Sequence, residues 1–229
     1  INTQTDVTNS NNSVIIARNN LSIRANNINN IDNSIIRNIN SNTPTGNSIF
    51  ELIAGDTINN IGSQIQANTN GNATIYAENN INNETTKVRI NQGGNNYTDI
   101  LRNTASISNT GNGNLIIQAN TGNITNTGAN ISANGSIGLQ AGNDIIFNTL
   151  ELESYYKIET KKKKKKSSTE IQTLTNIGSN ITSGNGSIVM IANNDINLTS
   201  TNLNAEKDIN LTSENGNITI ASAMDTYSK

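Results

Sequence analysis

The side chains able to do acid–base or charge chemistry are few and unevenly placed. The chain has no His and no Cys, which excludes imidazole catalysis, a thiolate nucleophile, a Cys/His metal site and a disulfide. Asp195 and Asp208 recur at the starts of similar apolar segments, and Glu151, Glu153 and Glu159 fall close together. Two carboxylates converging on one face are what glycoside hydrolysis requires, so polysaccharide degradation is one reading of them. The simpler reading of a strand-start Asp is a turn former that bonds its own backbone. No catalytic residue, cofactor site or metal ligand is assigned on this basis. The concentrated charge is Lys161, Lys162, Lys163, Lys164, Lys165 and Lys166. Near an anionic surface such a run contributes about 1 kcal/mol per residue, so contact with sulfated glycans, lipopolysaccharide phosphates or a membrane surface is one expectation. The preferred one is a solvated, flexible tip whose repelling charges keep hairpin edges from pairing. Tyr76, Tyr97, Tyr155 and Tyr156 could stack on a sugar, but with five Tyr scattered along the chain packing is the expected role.

These groups need a scaffold, and composition restricts which. Of 229 residues, 49 are Asn and 36 are Ile; aromatics are 3 % and charged residues 14 %. Large rings cannot build the core, and the low charge argues against disorder. Ile favours strands, whereas Asn and Gly favour turns, so many short strands joined by many turns are expected. The net charge is −2, and the lysine run leaves the remainder at −8, which makes nucleic acid a poor partner. No apolar run approaches the roughly 18 residues of a spanning helix, and Ile1–Asn20 does not resemble a signal peptide. The start without Met and the stop within a pattern read as a piece of a longer protein. A cysteine-free chain can be cytosolic, and it also suits export in an unfolded state.

The organising feature is a repeat. Asp195-Ile196-Asn197-Leu198-Thr199 recurs as Asp208-Ile209-Asn210-Leu211-Thr212, and the same grammar runs through Asn114–Ala119, Gly122–Thr125, Ala129–Ala133 and Ser136–Ala141. Each copy reads as three strands in period-2 alternation separated by Asn/Gly/Ser/Thr turns. One copy cannot bury its Ile face alone, but stacked copies can. The fold class is therefore all-β, a parallel β-helix with coils of about 20–23 residues. Small residues such as Ala54, Ala77, Ala119 and Ala192 fit its corners, and stacked Asn at equivalent turns can form ladders along the column.

Three stretches break the rhythm, giving β-helix repeats over 1–149 with excursions near 37–47 and 84–113, a hairpin over 150–176, and repeats again over 177–229. Leu150–Glu159 and Ser168–Thr175 alternate well and flank the lysine run, so the hairpin is expected to project with the lysines at its tip.

The last 80 residues resemble the haemagglutinin repeat region of two-partner-secretion exoproteins, which include filamentous haemagglutinins and contact-dependent growth-inhibition exoproteins of Gram-negative bacteria. The matching positions are Gly178-Ser179, Ile181, Gly186-Ser187-Ile188, Asp195–Leu198 and Asp208–Leu211, following a Ser/Thr- and Lys-rich hairpin. The resemblance implies a right-handed β-helical shaft, exported through an outer-membrane transporter pore and displayed at the cell surface. The function it implies is structural: holding distal adhesive or toxic modules away from the producing cell, without enzymatic activity or cofactor. An alternative is that the segment is itself the adhesive surface, contacting a target-cell receptor or glycan. A polysaccharide-degrading β-helix enzyme is a third reading; the His, Arg and paired-Asp motifs of pectinase-like enzymes are absent.

Overall fold

A computed structural model describes residues 1–39, 48–162 and 165–229, and every regular element in them is a strand. Three parallel sheets of eight, seven and seven strands form a shaft, and an antiparallel sheet of five stands at its side. The chain visits the three parallel sheets in fixed rotation. Ile124–Thr127 lies in the first, Asn130–Ala133 in the second and Ile137–Ala141 in the third. Ile145–Asn148 then returns to the first sheet, pairing Ile145 with Ile124. That coil is 21 residues long; the steps from Val7 to Ile28, Ile58 to Ile81 and Ile196 to Ile218 are 21, 23 and 22. This is a parallel β-helix, in which a whole coil replaces the usual helical crossover between parallel strands. The eight strands of the first sheet span about 34 Å along the axis at ~4.8 Å per step.

Alternation within each short strand sends one side chain in two to the axis. Ile23, Leu52, Ile75, Ile117, Leu139 and Met190 stack in one buried column of the third sheet. Ala54, Ala77, Ala119, Ala141 and Ala192 stack in another buried column at the corner that follows. The aliphatic wall stops at the opposite corner. There the third residue of the first five first-sheet strands is Asn9, Asn30, Asn60, Asn83 and Asn126, all buried. Each amide Nδ2 donates to the Oδ1 of the next Asn at 2.7–2.8 Å, and Asn126 donates to Ser179 Oγ at 2.9 Å. The second amide proton goes to a corner carbonyl, such as Gln64 O from Asn30 and Ser63 O from Asn60, both at 2.9 Å. The ladder thereby satisfies polar backbone that the corner would otherwise bury unpaired. In the next two coils Phe147 and then Leu198 occupy the same position, and the polar column ends.

Strand-start acids act differently from the sequence expectation. Oδ1 of Asp144 accepts the backbone N–H of Asp195, and Oδ1 of Asp195 that of Asn217, at 2.9 and 2.7 Å. They bond the next coil, not their own turn, because stacking brings an equivalent N–H within reach along the axis.

Several boundaries also differ from expectation. Arg37 and Asn38 lie in the shaft strand Ile35–Asn38; residues 40–47 of the expected excursion lie outside the described residues. The second excursion is confined to Thr86–Asn103, since Ile81–Glu84 and Ser106–Asn109 are shaft strands. Ser106-Ile107-Ser108-Asn109 has one large apolar side chain, too little to announce itself as a strand. At the C-terminus the β-helix stops at Ala221, and Thr226–Ser228 joins the lateral sheet. Ile209 and Ile218, on the last strands of the third and first sheets, are each 43 % exposed because no coil stacks on them.

Candidate functional site

The lateral sheet grows from one corner of the shaft, between the first and second sheets. In plain coils this corner needs a left-handed backbone, supplied by Asp32 and Asn33, Gly62, Gly128 or Ser200, all with φ between 45° and 61°. In two coils the corner is instead opened by a hairpin. Glu84 leads into Thr86–Asn91 and Tyr97–Asn103, and Asn148 leads into Leu150–Lys162 and Lys165–Ile177. The coil closes beneath the first hairpin through Thr85, whose Oγ1 donates to Gly128 O at 2.6 Å and accepts the N–H of Ala105 at 3.0 Å. A third exit from this corner, after Ala221, delivers Thr226–Ser228.

These excursions pair with one another. Tyr97 and Thr98 align antiparallel with Tyr155 and Ser154, and Leu174, Thr173 and Gln172 align with Thr226, Tyr227 and Ser228. The seam between the hairpins is stapled on one face. Arg89 donates to both oxygens of Asp99 at 2.7 and 2.9 Å and to Glu153 at 3.0 Å, bridging the first hairpin to the second. Lys87 Nζ donates to Asp99 at 2.9 Å and to the backbone oxygen of Glu151 at 2.6 Å. The Arg89 guanidinium lies 3.9 Å from the centre of the Tyr97 ring, which stacks on Tyr155 at 6.2 Å, a cation–π and aromatic pair in series. The Asp99 side chain is 1 % exposed. Its carboxyl is held far below the usual carboxylate range by the Arg89 hydrogen bond, with Lys87 and the Glu153 N–H adding to it against desolvation.

The family model for the hemagglutinin repeat matches residues 90–165 and 160–229, more than half of the chain. The chain belongs to the hemagglutinin repeat family. No curated protein and no solved structure matches it.

Each matched hemagglutinin repeat corresponds to one structural period. The first runs from the tip of the first hairpin through two coils of shaft and out along Leu150–Lys162; the second returns along Lys165–Ile177, makes two coils, and leaves as Thr226–Ser228. Two coils rise about 9.6 Å, and two hydrogen-bonded strands are about 9.6 Å wide. Hairpins emerging at every second coil therefore meet edge to edge without strain, and the lateral sheet keeps step with the shaft.

Within these repeats the sequence-predicted residues are scattered. Asp195 precedes a first-sheet strand and Asp208 a third-sheet strand, at different corners of one coil. Glu153 is tied to Arg89, and Glu159 to Lys157 at 3.3 Å. An open groove of about 580 Å³ at the foot of the second hairpin, lined by Asn148, Thr149, Glu151, Leu174 and Met224 among others, holds one carboxylate and no second acid or base. Among the described residues no cluster of metal-ligating side chains occurs. Lys161, Lys162, Lys165 and Lys166 sit exposed at the end of the second hairpin; Lys163 and Lys164 lie outside the described residues. The staple of Lys87, Arg89, Asp99 and Glu153 was not anticipated. Its one sequence signal is the alternation Lys87-Val88-Arg89-Ile90 with an acid on the returning strand.

Proposed function

We propose that this segment is a load-bearing length of shaft in a secreted, surface-displayed bacterial exoprotein of the adhesin or contact-dependent growth-inhibition type. It holds distal modules away from the producing cell and has no catalytic role of its own. In this reading the exoprotein leaves a Gram-negative cell through an outer-membrane transporter pore by two-partner secretion. The observation that carries the proposal is continuity: strand ladders and the buried Asn column run along the axis through successive coils, so the two ends are separated by stiff structure. Where carboxylates meet they do so on a shared cation, Asp99 and Glu153 on Arg89 and Glu159 and Glu170 on Lys157, which supports a structural role over hydrolysis.

The test is deletion by whole and partial coils in the full-length exoprotein. Removing residues 58–80 joins Thr57 to Ile81, takes out one uninterrupted coil and should preserve surface display and distal activity while shortening the shaft by about 4.8 Å. Removing residues 58–69 leaves half a coil, destroys the register and should abolish display. A whole-coil deletion that remains folded and displayed but loses activity would show that the coils themselves engage the target.

A further inference from the structure

The second hairpin is longer than the sheet that supports it. On one side its last neighbour is Asn96, whose side chain accepts the Lys157 N–H at 2.7 Å and donates to the Lys157 oxygen at 3.4 Å. On the other side Thr226–Ser228 reaches only Gln172. The rungs from Ile158–Thr169 to Lys162–Lys165 therefore form a two-stranded ribbon with both edges open among the described residues. Its end carries Lys161 opposite Lys166 and Lys162 opposite Lys165. Like charges directly opposite one another in a strand pair are destabilising. The adjacent carboxylates of Glu159 and Glu170 are both taken by Lys157, at 3.3 and 3.1 Å, and none of the four described tip lysines pairs with an acid. The solvated-tip expectation placed these charges in a loop, where they could spread apart; in the structure they are held opposed in register.

We infer that the end of this ribbon is a binding site for a linear polyanion, a polysaccharide bearing sulfate or phosphate esters. The opposed lysines bring positive charge together at a local cost that an anionic group between them would relieve. Lys161 and Lys166 line a cleft of about 490 Å³ together with Glu159, Thr160, Ser167 and Ser168, and Glu159 is paired with Lys157. Alternation puts Lys161 and Lys166 on one face of the ribbon and Lys162 and Lys165 on the other. A flexible polymer can cross the narrow end and meet both pairs, whereas a flat bilayer lying against the ribbon meets only one. The acidic body, at −8 outside the lysine run, repels the same polymer elsewhere and confines it to the tip. This inference does not depend on the shaft role.

The test uses the whole 229-residue chain with three probes: heparin as a sulfated polymer, long-chain polyphosphate as a phosphorylated one, and vesicles of phosphatidylglycerol and phosphatidylcholine. Binding of at least one polymer should weaken steeply with salt. K161Q/K166Q and K162Q/K165Q should each weaken it at least threefold, and the quadruple Gln variant at least tenfold. The quadruple Arg variant, which keeps the charge, should bind within threefold of the native chain. Circular dichroism should be unchanged in all four. The polymer retained identifies the ester. Native binding by the quadruple Gln variant would overturn the inference, as would binding to vesicles alone. Loss confined to one of the two double variants would overturn the wrapped arrangement.

Discussion

The buried Asn ladder makes a quantitative prediction because its members differ in what they hold. Asn60 is fully buried; it accepts from Asn30 at 2.8 Å and donates to Asn83 at 2.7 Å, to Ser63 O at 2.9 Å and to Ser106 O at 3.1 Å. Asn60→Leu leaves Asn83 Oδ1 with no donor, weakens the anchoring of Asn30, and strips one bond from each of two carbonyls. An orphaned buried acceptor costs roughly 1–3 kcal/mol and each of the three further lost bonds about 1, so the expected destabilisation is about 4–6 kcal/mol. Asn126 stands at the end of the column, against Phe147 in the next coil, and its onward partner Ser179 has a hydroxyl that can turn elsewhere. Asn126→Leu should cost about 1–3 kcal/mol. Adding Asn83→Leu to Asn60→Leu removes the orphan, so the double variant should cost less than the sum of the singles. Equilibrium urea unfolding followed by circular dichroism measures the total. Hydrogen exchange at the Ser34 and Ser63 corners locates it, which matters because stacked repeats need not unfold as one unit. Equal costs at positions 60 and 126, or additive costs at 60 and 83, would refute the ladder as a coupled element.

Two further predictions concern the corner and the staple. Gly128 has φ +53°, and a Cβ there would lie 2.8 Å from Leu150 Cβ and 3.1 Å from Ile177 O, so Gly128→Val should lower stability by about 2–4 kcal/mol; a thermal midpoint within a degree of the native chain would contradict this. Because folding depresses the Asp99 carboxyl, its stabilisation is present above the unfolded carboxylate range near pH ~4 and lost only as pH falls toward its strongly lowered value. The seam should therefore hold at pH 4.5, while Asp99→Asn at pH 7 should speed amide exchange at Tyr97, Thr98 and Tyr155 at least tenfold; a native seam already open at pH 4.5 would show that the pairing is not held by this carboxylate.

Much of the architecture was legible without coordinates. Period-2 alternation in Ile196–Thr199 or Ile209–Ser213, within a pattern that recurs at about 21 residues, admits one economical burial of the Ile face, and that is a stack of coils. The Asn excess made ladders one reading of the composition, because an amide both donates and accepts and so can repeat indefinitely along an axis. Which Asn face inward was not legible: Asn59 and Asn60 are adjacent and identical, yet Asn60 joins the buried column while Asn59 bonds Asn29 and Asn82 outside. Strand phase relative to the corner decides that, and phase is a property of the stacked coil. The sequence likewise announced a hairpin at Leu150–Asn176 but not its neighbours. Tyr97 and Tyr155 meet only because two coils rise by the width of one hairpin, and the three residues Thr226–Ser228 become a strand only because the edge of Lys165–Ile177 is waiting beside the last coil. Ile196 and Ile218 occupy the same slot in successive coils, one fully buried and the other 43 % exposed. Local pattern sets which way a side chain points; burial requires another coil above it, and that is a fact of tertiary structure alone.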